Sequence, residues 1–197
     1  MAKVVQFPIQ NLEKFGLQRV RKKTDIKPEK HGQLNLFSGG RVVRLNQLSS
    51  FEEALIMDDQ GDIQQAREGY LKSIAAGDAL ADAYCNLGIL EFQEGNTTKA
   101  IDYFTFSLKY EPRHFEAHYN LANLYGEVGN FALAKVHYQV SIELEPSFPN
   151  SYFNLGLTLA MNKEFNEAIR ELNQYRQLSP DADHYQADEL IRKLRNQ

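Results

Sequence analysis

The stretch Ala83-Tyr84-Cys85-Asn86-Leu87-Gly88-Ile89-Leu90-Glu91 returns as Ala117-His118-Tyr119-Asn120-Leu121-Ala122-Asn123-Leu124-Tyr125 and again as Ser151-Tyr152-Phe153-Asn154-Leu155-Gly156-Leu157-Thr158-Leu159, each time after a step of 34 positions. The same step relates Ala66, Ala100, Ala134 and Ala168, and also Pro112, Pro146 and Pro180. Gly61, Gly95 and Gly129 form another column, followed by asparagine at Asn96 and Asn130, and an aromatic column of Tyr70, Phe104 and Tyr138 ends in Leu172. So many coincident columns define a structural repeat, in which each unit buries its apolar face against its neighbours.

Each column has a mechanical task. Within a unit the apolar residues fall at helical spacing, as in Tyr84, Leu87 and Gly88 and then Ala100, Phe104 and Leu108. Glycine before asparagine ends the first helix, because it enters the left-handed conformation without a side-chain clash. Proline late in the unit suits the loop before the next helix or its first turn. The small residue at Gly88, Ala122 or Gly156 lets two helices approach closely. Each unit therefore reads as a helix–turn–helix hairpin.

The period, the Leu-Gly/Ala pair, the alanine column, the aromatic four residues later and the closing proline resemble tetratricopeptide repeats. The resemblance implies an all-α solenoid with units at 47–80, 81–114, 115–148 and 149–182, together 136 of the 197 residues. The first unit departs from the pattern, with Ser50 and Glu53 where bulky residues are expected. Ser50-Phe-Glu-Glu53 reads as a capping box opening its first helix. Residues 183–197 are expected to form a C-terminal capping helix with Tyr185, Leu190, Ile191 and Leu194 on its apolar face. Residues 1–46 remain as a basic, partly disordered arm, either flexible or folded as a short hairpin.

In this family the first helices of successive units line a concave groove, and the resemblance places positions 2, 5, 6, 9, 12 and 13 of each unit on it. Position 6 supplies Asn86, Asn120 and Asn154, a ladder of primary amides. Each amide carries a donor and an acceptor, so the ladder suits the backbone of an extended peptide of any sequence. Position 5 adds Cys85, Tyr119 and Phe153, and position 9 adds Ile89, Asn123 and Leu157, as walls for ligand side chains. The competing structural use of the asparagines is a hydrogen bond to the neighbouring helix. Members that clamp chaperone C-terminal carboxylates use lysine or arginine where this chain has Cys85, Tyr119 and Phe153, so that activity is not implied. The first helices of units two to four carry Asp82, Glu91, Glu94, Glu116 and Glu127, with no lysine or arginine before Lys163. A neutral-to-basic or apolar extended segment is the expected protein partner.

Charge divides the chain as the repeats do. The net charge of -4 combines ten Lys/Arg and three Asp/Glu in residues 1–46 with twelve and twenty-three in residues 47–197. A lone cysteine excludes a disulfide-framed secreted domain. No run approaches a membrane span, and Gln6 and Pro8 interrupt any secretory core, so a reducing cytoplasm is the expected location. No catalytic centre, cofactor or metal site is expected. His114 and His118 stand at helical spacing, but Glu116 is one place too late for a zinc-protease helix, and Gly39-Gly40 lacks the Gly-Lys-Ser/Thr of a phosphate loop.

The arm holds the remaining signals. Arg19-Val-Arg21-Lys22-Lys23 reads as a solvated tail or as a contact for nucleic acid or a membrane surface. A further expectation is that the basic arm lies along the chain's own acidic groove and competes with ligands. Gln33, Leu34, Leu36 and Phe37 resemble the pentapeptide by which bacterial proteins dock on the replication sliding clamp, with a small hairpin as the structural alternative. The expected function is a non-catalytic scaffold or adaptor that holds an extended segment in its groove. Two other readings stand beside it: a nucleic-acid or replication accessory protein working through the arm, and a targeting or regulatory subunit of a separate enzyme.

Overall fold

The computed structural model describes residues 16–20, 48–180 and 184–196. Among these every regular element is a helix: α1 (Ser50–Asp59), α2 (Ile63–Ala76), α3 (Leu80–Gln93), α4 (Thr97–Tyr110), α5 (Phe115–Glu127), α6 (Phe131–Leu144), α7 (Pro149–Met161), α8 (Phe165–Leu178) and α9 (Tyr185–Leu194). The pairs α1–α2, α3–α4, α5–α6 and α7–α8 form the hairpins, each packs on the next, and α9 covers α8. First helices also touch along the stack, α3 against α5 and α5 against α7. This is the expected all-α solenoid. No helix among the described residues is long and apolar enough to cross a membrane.

The repeated columns do what their chemistry requires. Gly95 and Gly129 take φ of 80° and 78°, and Asn96 and Asn130 behind them open α4 and α6 as N-cap residues. In the fourth unit Lys163 occupies the glycine column and holds φ of 65°, a left-handed conformation that costs a side-chain-bearing residue about 1–2 kcal/mol. A Cβ on Gly88 would lie 2.7 Å from the Phe104 ring, so the small residue of one helix is the seat of the aromatic on its partner. The corresponding Cβ on Gly156 would meet Leu172 at 2.8 Å. Pro112 and Pro146 lie in the turns before α5 and α7, and their carbonyls accept from His118 Nε2 and Tyr152 Oη, each at 3.0 Å. The ring at position 4 thus ties the third and fourth units to the loops that precede them.

Two expectations are corrected. The capping box opens one residue earlier than Ser50: Ser49 is the N-cap, its hydroxyl accepts from Glu52 N at 3.3 Å, and Glu52 Oε2 accepts from Ser49 N at 2.9 Å. Ser49 wins because it holds extended backbone at φ -71° and ψ 161°, while Ser50 is already helical. In α9 the packed face is Ala187, Leu190, Ile191 and Leu194, whereas Tyr185 is 75% exposed at the first helical position.

A candidate peptide-binding groove

The buried polar residues of the first helices pose the question of partners. Asn86 in α3 and Asn120 in α5 are each fully buried, and an unpaired buried amide costs about 1–3 kcal/mol. Their partners come from residues 16–20, far away in sequence. Asn120 Oδ1 accepts from Gln18 N at 2.6 Å, and its Nδ2 donates to Gln18 O at 2.8 Å. Asn86 repeats the pattern with Val20, accepting from N at 3.0 Å and donating to O at 3.2 Å. Alternate residues of an extended chain present their N–H and C=O on one side, about 7 Å apart, so one residue is skipped between successive asparagines. The segment runs from the third unit towards the first.

Side chains anchor what the amides align. Val20 is buried in a cluster with Cys85, Ile89, Phe104, Leu121 and Leu124, against which Leu17 also packs. Arg19 reaches over α3 to form an ion pair with Asp58, at the end of α1. The Asp58 side chain is only 2% exposed, and Tyr70 Oη donates to its other oxygen at 2.9 Å. Burial pushes the Asp58 carboxyl above its ordinary range, with Arg19 and the Tyr70 hydroxyl drawing it back. Tyr70 Oη in turn accepts from Asn86 Nδ2 at 3.2 Å. One polar network therefore joins the Val20 carbonyl, Asn86, Tyr70, Asp58 and the Arg19 guanidinium.

The residues named from the sequence divide into two groups. Asn86, Asn120, Cys85 and Ile89 surround the bound segment, and Asn120 Nδ2 also approaches Cys85 Sγ at 3.5 Å. Tyr119, Phe153 and Leu157 instead belong to the C-terminal core cluster. Tyr119 is fully buried, edge-on to Phe148 at 5.2 Å and to Tyr138 at 6.0 Å. Asn154 Nδ2 donates to Tyr119 Oη at 3.0 Å and to Asn123 Oδ1 at 2.9 Å, joining the third and fourth units. Asn123 Oδ1 also accepts from Tyr138 Oη at 2.5 Å.

The charges read from the sequence are redistributed as well. Glu91 is buried and paired with Arg67 of α2, which also bonds Glu94 at 2.7 Å, so neither carboxylate is left to face a ligand alone. Arg19 lies in the groove and is not part of a solvated patch. Asp58 was not named from the sequence. It occupies position 12 of the first unit, one of the groove positions, in the repeat that departs most from the pattern. Gln33, Leu34, Leu36 and Phe37 lie outside the described residues.

His114 and His118, one helical turn apart, face different partners. His114 caps α5, its Nδ1 accepting from Ala117 N at 3.1 Å, which leaves Nε2 to carry the proton towards Asp82 at 3.0 Å. Asp82, Glu111 and His114 bring ligand atoms within 4.8 Å of one another, yet His114 is engaged at both nitrogens. His118 turns instead to His137, Nδ1 to Nδ1 at 2.9 Å.

A stack of helix hairpins with an extended segment of the same chain paired along its inner helices defines a helical-repeat solenoid. Models of the tetratricopeptide repeat match residues 51–105 and 85–134, and a further one matches 137–170. The chain belongs to the tetratricopeptide-repeat family. Among solved structures it is similar to a tetratricopeptide repeat protein from Parabacteroides merdae, with 19% identity, a TM-score of 0.64, and coverage of 75% of this chain and 59% of that one. YrrB, described as having an unusual peptide-binding site, superposes with a TM-score of 0.61 at 17% identity over 73% of each chain. The first repeat domain of Spaghetti (RPAP3) bound to the HSP90 peptide SRMEEVD gives 0.56 at 21% identity, covering 59% of this chain and 91% of that one. No curated protein matches.

Proposed function

We propose that this protein is a non-catalytic interaction module that holds an extended segment of a partner protein in the groove lined by α3 and α5. The observation that carries this reading is the double pairing of Asn120 with Gln18 and of Asn86 with Val20. Both contacts read backbone alone, so any extended chain of suitable side chains satisfies them. The structural neighbours add that proteins of this fold hold peptides, as the first domain of Spaghetti holds SRMEEVD. Residues 16–20 then act as a resident occupant with which a partner competes, in line with the expectation that the basic arm lies on the acidic repeats.

The test uses the full chain with Arg19→Ala and Val20→Asp, which release the resident segment. This variant is expected to retain members of a random peptide library that the unaltered protein retains weakly. Adding Asn86→Ala and Asn120→Ala is expected to abolish retention while helicity stays at the parent level. Retention that survives both alanines would remove the groove as the site.

A further inference from the structure

The resident segment carries more information than its backbone. Three of its side chains are placed by different chemistry: Leu17 and Val20 by apolar contact, Arg19 by a carboxylate removed from water. Gln18, between the two aliphatic anchors, is held through its main-chain N–H and C=O. A carboxylate as buried as Asp58 is unfavourable without a cation. The Tyr70 hydroxyl cannot replace that cation, since it supplies one hydrogen bond and no charge. No lysine or arginine of α1, α2 or α3 is paired with Asp58 among the described residues; Arg67 of α2 is committed to Glu91 and Glu94. The repeats therefore contain a buried negative site at the first-unit end of the groove whose counter-charge comes from the occupant.

We infer that the groove selects partner segments of the form aliphatic–any–arginine–aliphatic, bound extended from the third unit towards the first, with Asp58 reading the cation and the Cys85–Ile89 wall reading the last aliphatic residue. This rests on the groove being a peptide site, and it names the ligand class. Residues 17–20 are this chain's own copy of that sequence. The reading of charge is coupled to the reading of backbone, because Asn86 bonds both the Val20 carbonyl and the hydroxyl that orients Asp58.

The test is direct binding of a labelled peptide, Lys-Phe-Gly-Leu-Gln-Arg-Val-Arg (residues 14–21), to the full chain with Arg19→Ala and Val20→Asp. Expected is at least tenfold tighter binding than to the unaltered protein, in which the resident segment competes. Replacing the first arginine of the peptide by glutamine is expected to weaken binding by ten- to a hundredfold. Asp58→Asn in the protein should bring the arginine and glutamine peptides to equal affinity, with circular dichroism checking the fold of that variant. The glutamine peptide needs no change in the protein, so the charge-reading stays testable if Asp58→Asn fails to fold. Equal binding of both peptides to the released protein would overturn the arginine rule and leave the groove itself intact. Binding of neither would remove the groove reading as well. A dimer of the unaltered protein that Arg19→Ala/Val20→Asp dissolves would assign the sequence to self-assembly, and so overturn the proposal.

Discussion

Asn120 and Gln18, 102 residues apart, exchange two hydrogen bonds, with the side-chain amide meeting both polar groups of one backbone residue. The arrangement is that of a strand edge, built from a helix. Replacing Asn120 by alanine leaves the Gln18 N–H and C=O without these partners, at about 1–3 kcal/mol for each group kept from water. The expected outcome is release of the segment and not loss of the repeats. Amide hydrogen exchange should show Gln18 and Val20 losing protection while α3 and α5 retain theirs. Unchanged protection at Gln18 would contradict the pairing.

The helix contacts predict a contrast between two glycines. Gly88→Ala places a methyl 2.7 Å from the Phe104 ring, and overpacking of this kind costs about 1–3 kcal/mol. Gly126→Ala, in α5, meets nothing nearer than Thr158 Oγ1 at 3.9 Å. That substitution should stabilise by up to about 1 kcal/mol through helix propensity. Urea unfolding of the two variants beside the parent measures both, and a common sign for the two would refute the packing account.

Lys163 stands in the glycine column at φ of 65°. Lys163→Gly relieves the left-handed strain but loosens the unfolded chain, for a net gain of up to about 1 kcal/mol. Lys163→Val, branched at Cβ, should lower the melting temperature instead. A melting temperature that falls for glycine would show that the lysine side chain contributes contacts outweighing its strain.

Acid should weaken the third unit through His137. Burial, reinforced by the neighbouring His118, pushes its pKa down from 6.5 to about 4, and burial lowers His118 as well. Between these two values the unfolded chain takes up a proton that the folded protein refuses, so stability falls as pH drops through the window and levels off below it. At pH 5 the loss from His137 is about 2 kcal/mol relative to pH 7. His114 runs the other way: burial lowers it, but the Asp82 hydrogen bond and the surrounding carboxylates outweigh that and raise it. Its stabilisation is complete below the ordinary histidine pKa and fades as pH rises through the raised value. Comparing His137→Gln with the parent in urea at pH 7 and pH 5 isolates the first effect, which the variant should lack.

Most of the scaffold was legible because each repeat column has a local cause. Gly95 and Gly129 turn the chain by backbone freedom, and Gly88 admits Phe104 by lacking a side chain, so spacing alone locates the hairpins. The groove was legible in part. Asn86, Asn120 and Asn154 were visible as polar residues repeating on a helical face, and Asn154 also bonds Tyr119 and Asn123 across the joint between two units. Nothing local separates the three asparagines; the difference lies in what stands opposite each one. Asp58 lay in the unit with the weakest pattern, and a single carboxylate on a groove position carries no signal until its counter-charge is known.

The sequence by itself determined the period, the hairpins and the division between a basic beginning and an acidic body, since these depend on residues close in the chain or repeated at fixed spacing. Only the tertiary structure decided which arm residues meet which repeats. Arg19 could not be told from Arg21 or Lys22 by charge, and Gln18 has no marked preference for any partner. Their places follow from the register of one extended segment on two buried amides and one buried carboxylate, a match between surfaces that sequence distance conceals.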